Sequence, residues 1–478
     1  MAAPCLASRQ LHTPSKLVGM ELKSKKVLVV GLGKSGLAAA LFLRRKGAQV
    51  TVSDVRSAAA LAHDIPALLD QGIMVEAGGH GLLTFRRQDL IVVSPGVPLD
   101  TPELVQVRNF GLPVIGELEL AARFLVGKTL AITGSNGKTT TTSLCGDILA
   151  AAHLKVQVGG NIGVPVIALV DESRDHGWSV LEVSSFQLET TYQFRPNIAV
   201  ILNITPDHLD RHGSMENYIA AKARIFANQE PEDALILNAD DDAAARAAAR
   251  TKSRLFWFSR TRVIRQGAFV YDGAVYFRAT EQSAPEFILK VESIPLKGQH
   301  NVENVLAAVC AARLAEVAPE AIRRAVEAFR AVEHRLEFVA TVNGVDYYND
   351  SKATNVDAAM KAIAAFPSGI HLILGGKDKN SDYRLMRPLI QERVKAIYTI
   401  GAAAEKIITH VEGSAPIVNS GALDVAVTKA ADAAQPGEII LLAPACSSFD
   451  QFQNYEQRGQ VFKDLVFARR GLPEWQSA

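Results

Sequence analysis

Buried apolar runs that break into glycines and resume as helices constrain this chain more than any other feature. KKVLVVGLGKSG, residues 25–36, has this layout, and so does TLAITGSNGKTTTTSL from Thr129 to Leu144. A strand apolar on both faces must be covered on both, which predicts parallel sheets sandwiched between helices. WSVLEVSSFQLE, NIAVILNITPDHLD, IHLILGGKDKNSDY and EIILLAPA repeat the pattern, each ending in polar residues. In such sheets ligands bind beyond the carboxyl ends of the strands. Loaded strand ends along the whole chain therefore predict one site between domains.

At 478 residues the chain is too long for one core, and about three units are expected. We place them at 1–116, 117–331 and 332–478. The first and third read as Rossmann-like α/β domains, and the central one as a P-loop ATPase-like parallel sheet. FVYDGAVYFRA alternates around Asp272-Gly273, a hairpin signal that gives the central unit a small antiparallel appendage. PVIGELEL marks the exit from the first unit. Residues 1–23 are set aside as an extension, since MAAPCLASRQLHTPSKLVGM has neither acidic groups nor an apolar targeting core, and Met20 is an alternative start.

A net charge of +1 offers no electrostatic basis for binding nucleic acid. No apolar run approaches the roughly 20 residues that span a bilayer, so no membrane insertion is expected. Cys5, Cys145, Cys310 and Cys446 form no CxxC pair, which fits a reducing cytoplasm.

Gly31, Gly33 and Gly36 match the dinucleotide fingerprint, and Asp54 ends the next strand where a ribose would lie. The same backbone physics serves any diphosphate, so NAD and other diphosphates both remain open here. The second loop is shorter than the common phosphate loop, with two residues instead of four between Gly134 and Gly137-Lys138-Thr139. It still offers amide groups for phosphates, Lys138 for the outer phosphates and the Thr139 hydroxyl for Mg²⁺. Glu182 interrupts an apolar strand, where a lone carboxylate is costly unless it meets a cation. His208 stands at a strand end beside the loop and is a ligand candidate as well as a structural histidine. Lys222 shares a helical face with Tyr218, Ile225 and Phe226; a snorkelling lysine and a functional one both fit.

TGSNGKTT, GGNIG, LEVSSFQLE, NITPDHLDRH and GQHNVENVLAA together resemble the ATP-dependent Mur ligases of peptidoglycan synthesis, from about residue 24 to the end. Within that family, YNDSKATN and PACSSFDQFQNYEQRG are similar to the branch that adds D-glutamate to UDP-N-acetylmuramoyl-L-alanine, and the Asp-Asn-Pro-Arg motif of the diamino-acid branch is absent.

The resemblance implies an ADP-forming amide ligase of the bacterial cytoplasm, acting as a monomer, with ATP, two Mg²⁺ sites and a CO₂-derived carbamate on Lys222. It assigns the first glycine loop to a UDP group rather than NAD, with Ser35, Asp54, Arg56, Gly96 and Asn161 in contact. ATP would meet Gly134, Ser135, Asn136, Gly137, Lys138, Thr139 and Thr140, with Asn301 and Asn304 at adenine, Asp350 at ribose, and Arg335 and Lys352 at the phosphates. D-glutamate would lie among Thr354, Lys379, Ser448 and Tyr455. Thr139, Glu182, His208 and carbamylated Lys222 would hold metal, with Lys138, Lys222, His208 and Glu182 as the catalytic group. An NAD oxidoreductase would leave the second loop unexplained. A nucleotide sensor would leave Glu182, His208 and Lys222 without a purpose.

Overall fold

The computed structural model describes residues 21–247, 251–330 and 332–470. Residues 1–20, most of the segment set aside as an extension and including Met20, lie outside the described residues. Leu22, at the end of that segment, is buried in the first core.

The first sheet contains β1 (Lys26–Val30), β2 (Gln49–Asp54), β3 (Met74–Ala77), β4 (Leu90–Val93) and β5 (Val114–Gly116), in the order β3-β2-β1-β4-β5. All its pairings are parallel. The order reverses between β1 and β4, so the glycine loop after β1 faces the 94–96 segment after β4. Ser94 Oγ donates to Gly31 O at 2.7 Å and joins the two. Gly36, in the first turn of the following helix Lys34–Arg45, packs against the loop itself: a Cβ there would lie 1.9 Å from Gly31 O. No larger residue fits.

The second sheet has nine strands: β6 (Lys128–Thr133), β7 (Val156–Gly160), β8 (Trp178–Glu182), β9 (Ile198–Ile201), β10 (Ala234–Asn238), β11 (Arg254–Ser259), β12 (Gly267–Tyr271), β13 (Ala274–Arg278) and β14 (Glu286–Lys290). Their order is β14-β13-β12-β11-β10-β9-β6-β8-β7. The antiparallel appendage is β12 to β14, joined edge-on to the parallel strands through β11 rather than standing apart. Glycine-loop strand β6 lies between β8 and β9, so Glu182 and the loop after β9 emerge on either side of it.

The third sheet, β15 (Glu337–Val342), β16 (Val345–Asn349), β17 (Ile370–Gly375), β18 (Val394–Ile400), β19 (Ile417–Gly421) and β20 (Ile439–Leu442), runs β15-β16-β20-β17-β18-β19. Its antiparallel edge, β15 with β16, is an addition to the sequence reading.

The first and central domains are joined by the helix Glu117–Ala122, whose two acidic side chains are buried. Glu119 accepts the backbone NH groups of Tyr192, Gln193 and Phe194, and Glu117 that of Ile167. Two carboxylates thus cap central-domain segments from the linker.

Candidate active site

The shortened glycine loop is held in shape by the strand next to it. Asn203, just beyond β9, accepts from Asn136 N through Oδ1 (2.8 Å) and donates through Nδ2 to Asn136 O (3.1 Å). Ser135 Oγ donates to Thr205 O and accepts from Thr205 N. Gly137 opens the helix with φ of 85°, and a Cβ there would meet Asn304 Oδ1 at 2.2 Å. The absence of two residues is matched by this close approach of Asn304, which lies on the helix Gln299–Leu314. Asn304 Nδ2 donates to Asn301 Oδ1, fixing both amides at the rim of a cleft lined also by Asn136, Gly137, Thr140, Arg335, Asp350 and Lys352.

Thr139 is where two domains converge. Its hydroxyl donates to Glu182 Oε2 at 2.7 Å and accepts from Lys352 Nζ at 2.8 Å and Arg335 Nη2 at 3.0 Å, both from the third domain. Glu182 Oε1 accepts from Asn161 Nδ2 at 2.8 Å. Burial pushes the Glu182 carboxyl up, but Lys352, Lys138, Asn161 and Thr139 outweigh it and keep the group ionised. Enclosure and the neighbouring Arg335 push the Lys352 ammonium down to about 7, with Glu182 opposing. Burial raises Asp350 to about 6, against the pull of Arg335.

Lys138 bends over its own loop, donating to Gly134 O and Ser135 O. Lys222, on the helix Met215–Ala223, is 1% exposed and donates to Gly134 O at 2.8 Å. It does not snorkel: Tyr218 covers it with its ring at 4.6 Å, and the helix aims it at the loop. Burial and Lys138 drive its amine well below the ordinary lysine value. His208 sits at φ of 55°, a left-handed turn that costs a non-glycine residue roughly 1 kcal/mol. Burial takes its ring down to about 4, despite Asp207, so both nitrogens are not protonated together at neutral pH.

Asp207, which adjoins His208 in NITPDHLDRH and was assigned no role from sequence, is gripped from the third domain. Lys379 Nζ lies 3.3 Å from its Oδ1, and Asn355 Nδ2 donates to Oδ2 at 2.9 Å. Tyr455 begins the last described helix and its ring lies 4.8 Å from Lys352 Nζ. Ser448 is buried in the loop after β20, and Thr354 lies in the turn after β16. Asn203, Asn355 and Asp357 were missed as site residues; Asn203 follows an apolar strand, while Asn355 and Asp357 sit at the start of the helix Val356–Ala364, where cap and first-turn roles explain their residue types.

In the first domain Asp54 and Arg56 bind each other and the glycine loop. Asp54 Oδ2 accepts from Leu32 N at 2.7 Å, and Arg56 donates to both Asp54 oxygens and to Leu32 O. Burial pushes Asp54 up, but these bonds bring it to about 2. Gly96 is exposed in the loop after β4. Ser35 belongs to a cleft of about 800 Å³ to which the first domain also gives Pro95, the second Thr139 and Asn161, and the third Lys352 and Tyr455. All three domains meet around that space.

Fold and site together define a three-domain α/β protein with a phosphate-loop cleft where the domains meet, and the comparisons give its class. The N-terminal domain of the MurD-like Mur ligases matches residues 25–116, the Mur ligase middle domain 132–312, and the Mur ligase glutamate ligase domain 334–446. The chain belongs to the Mur ligase family, the ATP-dependent ligases of peptidoglycan precursor synthesis. It is 78% identical over 459 residues to the UDP-N-acetylmuramoylalanine–D-glutamate ligase of Acidobacterium capsulatum, covering 96% of this chain and 100% of that one. The protein of the same name from Koribacter versatilis is 59% identical over 447 residues, 94% and 98% of the two chains. Among solved structures, UDP-N-acetylmuramate-alanine ligase from Thermotoga maritima has a TM-score of 0.57 at 19% identity, over 93% of this chain and 99% of that one. The pseudomurein peptide ligase type C of Methanothermus fervidus also gives 0.57, at 20% identity, over 88% and 96%. These two share the fold.

Proposed function

We propose that this chain joins D-glutamate to UDP-N-acetylmuramoyl-L-alanine, forming an amide at the expense of ATP. The observation that carries the proposal is the convergence on Thr139, where a central-sheet carboxylate meets two third-domain cations beside the phosphate loop. The end-to-end likeness to relatives bearing that activity in their name supports the choice of substrates.

A carboxylate oxygen is a poor leaving group. The L-alanine carboxylate of the UDP substrate therefore attacks the terminal phosphorus of ATP, giving an acyl phosphate and ADP. The D-glutamate amine then adds to the carbonyl, and the tetrahedral intermediate expels phosphate. Lys138, Arg335 and Lys352 neutralise the transferring phosphoryl group. Asn301 and Asn304 hold adenine and Asp350 the ribose, while Gly134 to Thr140 cradle the phosphates. Ser35, Asp54, Arg56, Gly96 and Asn161 hold the UDP group at the first domain. Lys379 and Tyr455 would orient D-glutamate together with Thr354 and Ser448.

Mur ligases use ATP and Mg²⁺. The residues fit a hard cation: Glu182 is ionised and buried, the Thr139 hydroxyl touches it, and His208 keeps a free ring lone pair. In this reading Thr139 serves one metal site and Glu182, His208 and Lys222 a second. A bound Mg²⁺ supplies positive charge to phosphate oxygens. Lys222, whose amine burial drives well below the ordinary lysine value, is suited to add through its nitrogen to CO₂; loss of a proton leaves a carbamate, which replaces a repelled ammonium by an anionic ligand. No helix among the described residues is long and apolar enough to cross a membrane. We place the enzyme in the bacterial cytoplasm as a monomer, since one chain supplies every side of the site.

The deciding experiment is phosphate release with UDP-N-acetylmuramoyl-L-alanine and a panel of amino acids. D-glutamate should support release and the others should not. Equal release with L-glutamate or a diamino acid would remove the assignment.

A further inference from the structure

We infer that Asp357 is a positioning residue that couples the state of the phosphate loop to the docking of the third domain. The inference rests on the ligase reading for its purpose, though its geometry stands apart from it. Asp357 occupies the first turn of the helix Val356–Ala364, capped by Asn355, whose side chain accepts from Ala358 N. An acidic residue there has an ordinary explanation, since carboxylates favour helix N-termini. That explanation does not account for where the carboxylate reaches. Its Oδ2 accepts from Asn136 Nδ2 at 2.6 Å and Thr205 Oγ1 at 3.1 Å, both in the central domain, and from Lys361 Nζ at 2.9 Å in its own helix.

Asn136 is the residue through which the loop can report its state. Its main chain is clasped by Asn203, so its side-chain amide has little freedom to turn alone. Asp357 takes one end of that amide, and Asn355 Nδ2 lies 3.4 Å from the other. Thr205 is tied to the same loop through Ser135 Oγ. One carboxylate oxygen from the third domain therefore contacts both segments that shape the phosphate cradle. Phosphates binding to amides of the loop reposition Asn136 and change the donor geometry that it presents to Asp357. By reciprocity, docking of the third domain favours the loop shape that holds phosphates. Lys379 and Asn355 on Asp207, with Arg335 and Lys352 on Thr139, share the docked face; Asn355 meets Asn136 only at the longer 3.4 Å, and the other three make no hydrogen bond to it.

The test uses the full chain with one dye on the central domain and one on the third, titrated with a non-hydrolysable ATP analogue and Mg²⁺ while energy transfer reports closure. Wild type should close as the analogue binds. In Asp357→Ala the analogue concentration for half-closure should rise at least fivefold, within the range ordinary for coupled sites. Asp357→Asn keeps one acceptor oxygen and should fall between the two, a graded rescue that mere destabilisation would not produce. It also serves if the alanine variant does not fold. Closure curves for both variants within twofold of wild type would overturn the inference. Phosphate release by wild type with D-glutamate is measured alongside: its failure would refute the ligase reading while leaving the closure curves to decide this one.

Discussion

Replacing Glu117 by Gln probes the joint between the first and central domains. The side chain is 1% exposed, Oε1 accepts Ile167 N at 2.6 Å, and Oε2 has no partner among the described residues. Burial raises the carboxyl from an ordinary 4.5 to about 7, with that single NH opposing. Each pH decade of this displacement is worth about 1.4 kcal/mol, so ionising the group costs about 3 kcal/mol more in the fold than in the unfolded chain. Because the folded value is the higher one, its contribution to stability is complete below pH 4.5 and lost as pH rises to about 7. Gln keeps the acceptor for Ile167 N and cannot ionise. The variant should therefore unfold within about 1 kcal/mol of wild type at pH 5 and at a midpoint roughly 5 °C or more higher at pH 8. Thermal unfolding followed by circular dichroism from pH 5 to 8 reads the difference. Two curves that run parallel across this range would refute the argument, since the titrating group would then lie elsewhere.

Lys138→Ala should keep its affinity for the UDP substrate, measured by calorimetry, and lose ADP release; turnover within about tenfold of wild type would dismiss the loop assignment. Lys222→Ala should be nearly inactive and partly restored by a short carboxylate such as acetate, whereas full activity without acetate would exclude a carbamate. Gly36→Ala pushes a Cβ into Gly31 O and should raise the KM for the UDP substrate at least tenfold, with analogue binding at the central loop unchanged. Normal KM there would mean the first loop is not a ligand cradle.

Much of the architecture was legible in local pattern. The glycine loops, the Asp272-Gly273 hairpin and the helix at GQHNVENVLAAVCAARLA all carry their cause within a few residues. The β15–β16 hairpin went unread although Asn343-Gly344 signals it, because its strands alternate weakly and only Ala340 and Val342 of β15 are buried. Lys222 could not be settled by helical spacing, which leaves a long side chain free to reach water or turn inward. Tyr218 and the loop carbonyl at Gly134 decide its direction.

The sequence by itself determined the units of this protein: which runs are strands, where glycine must stand, and which polar residues lie at strand ends. Those are consequences of steric freedom and of apolar periodicity, which act between near neighbours. Tertiary structure alone decided which of those ends meet. Asn136 and Asp357 are 221 residues apart, and no local rule relates them. They touch because two separately folded sheets present their carboxyl ends to one another, and the pairing of amide with carboxylate exists only where the domains dock.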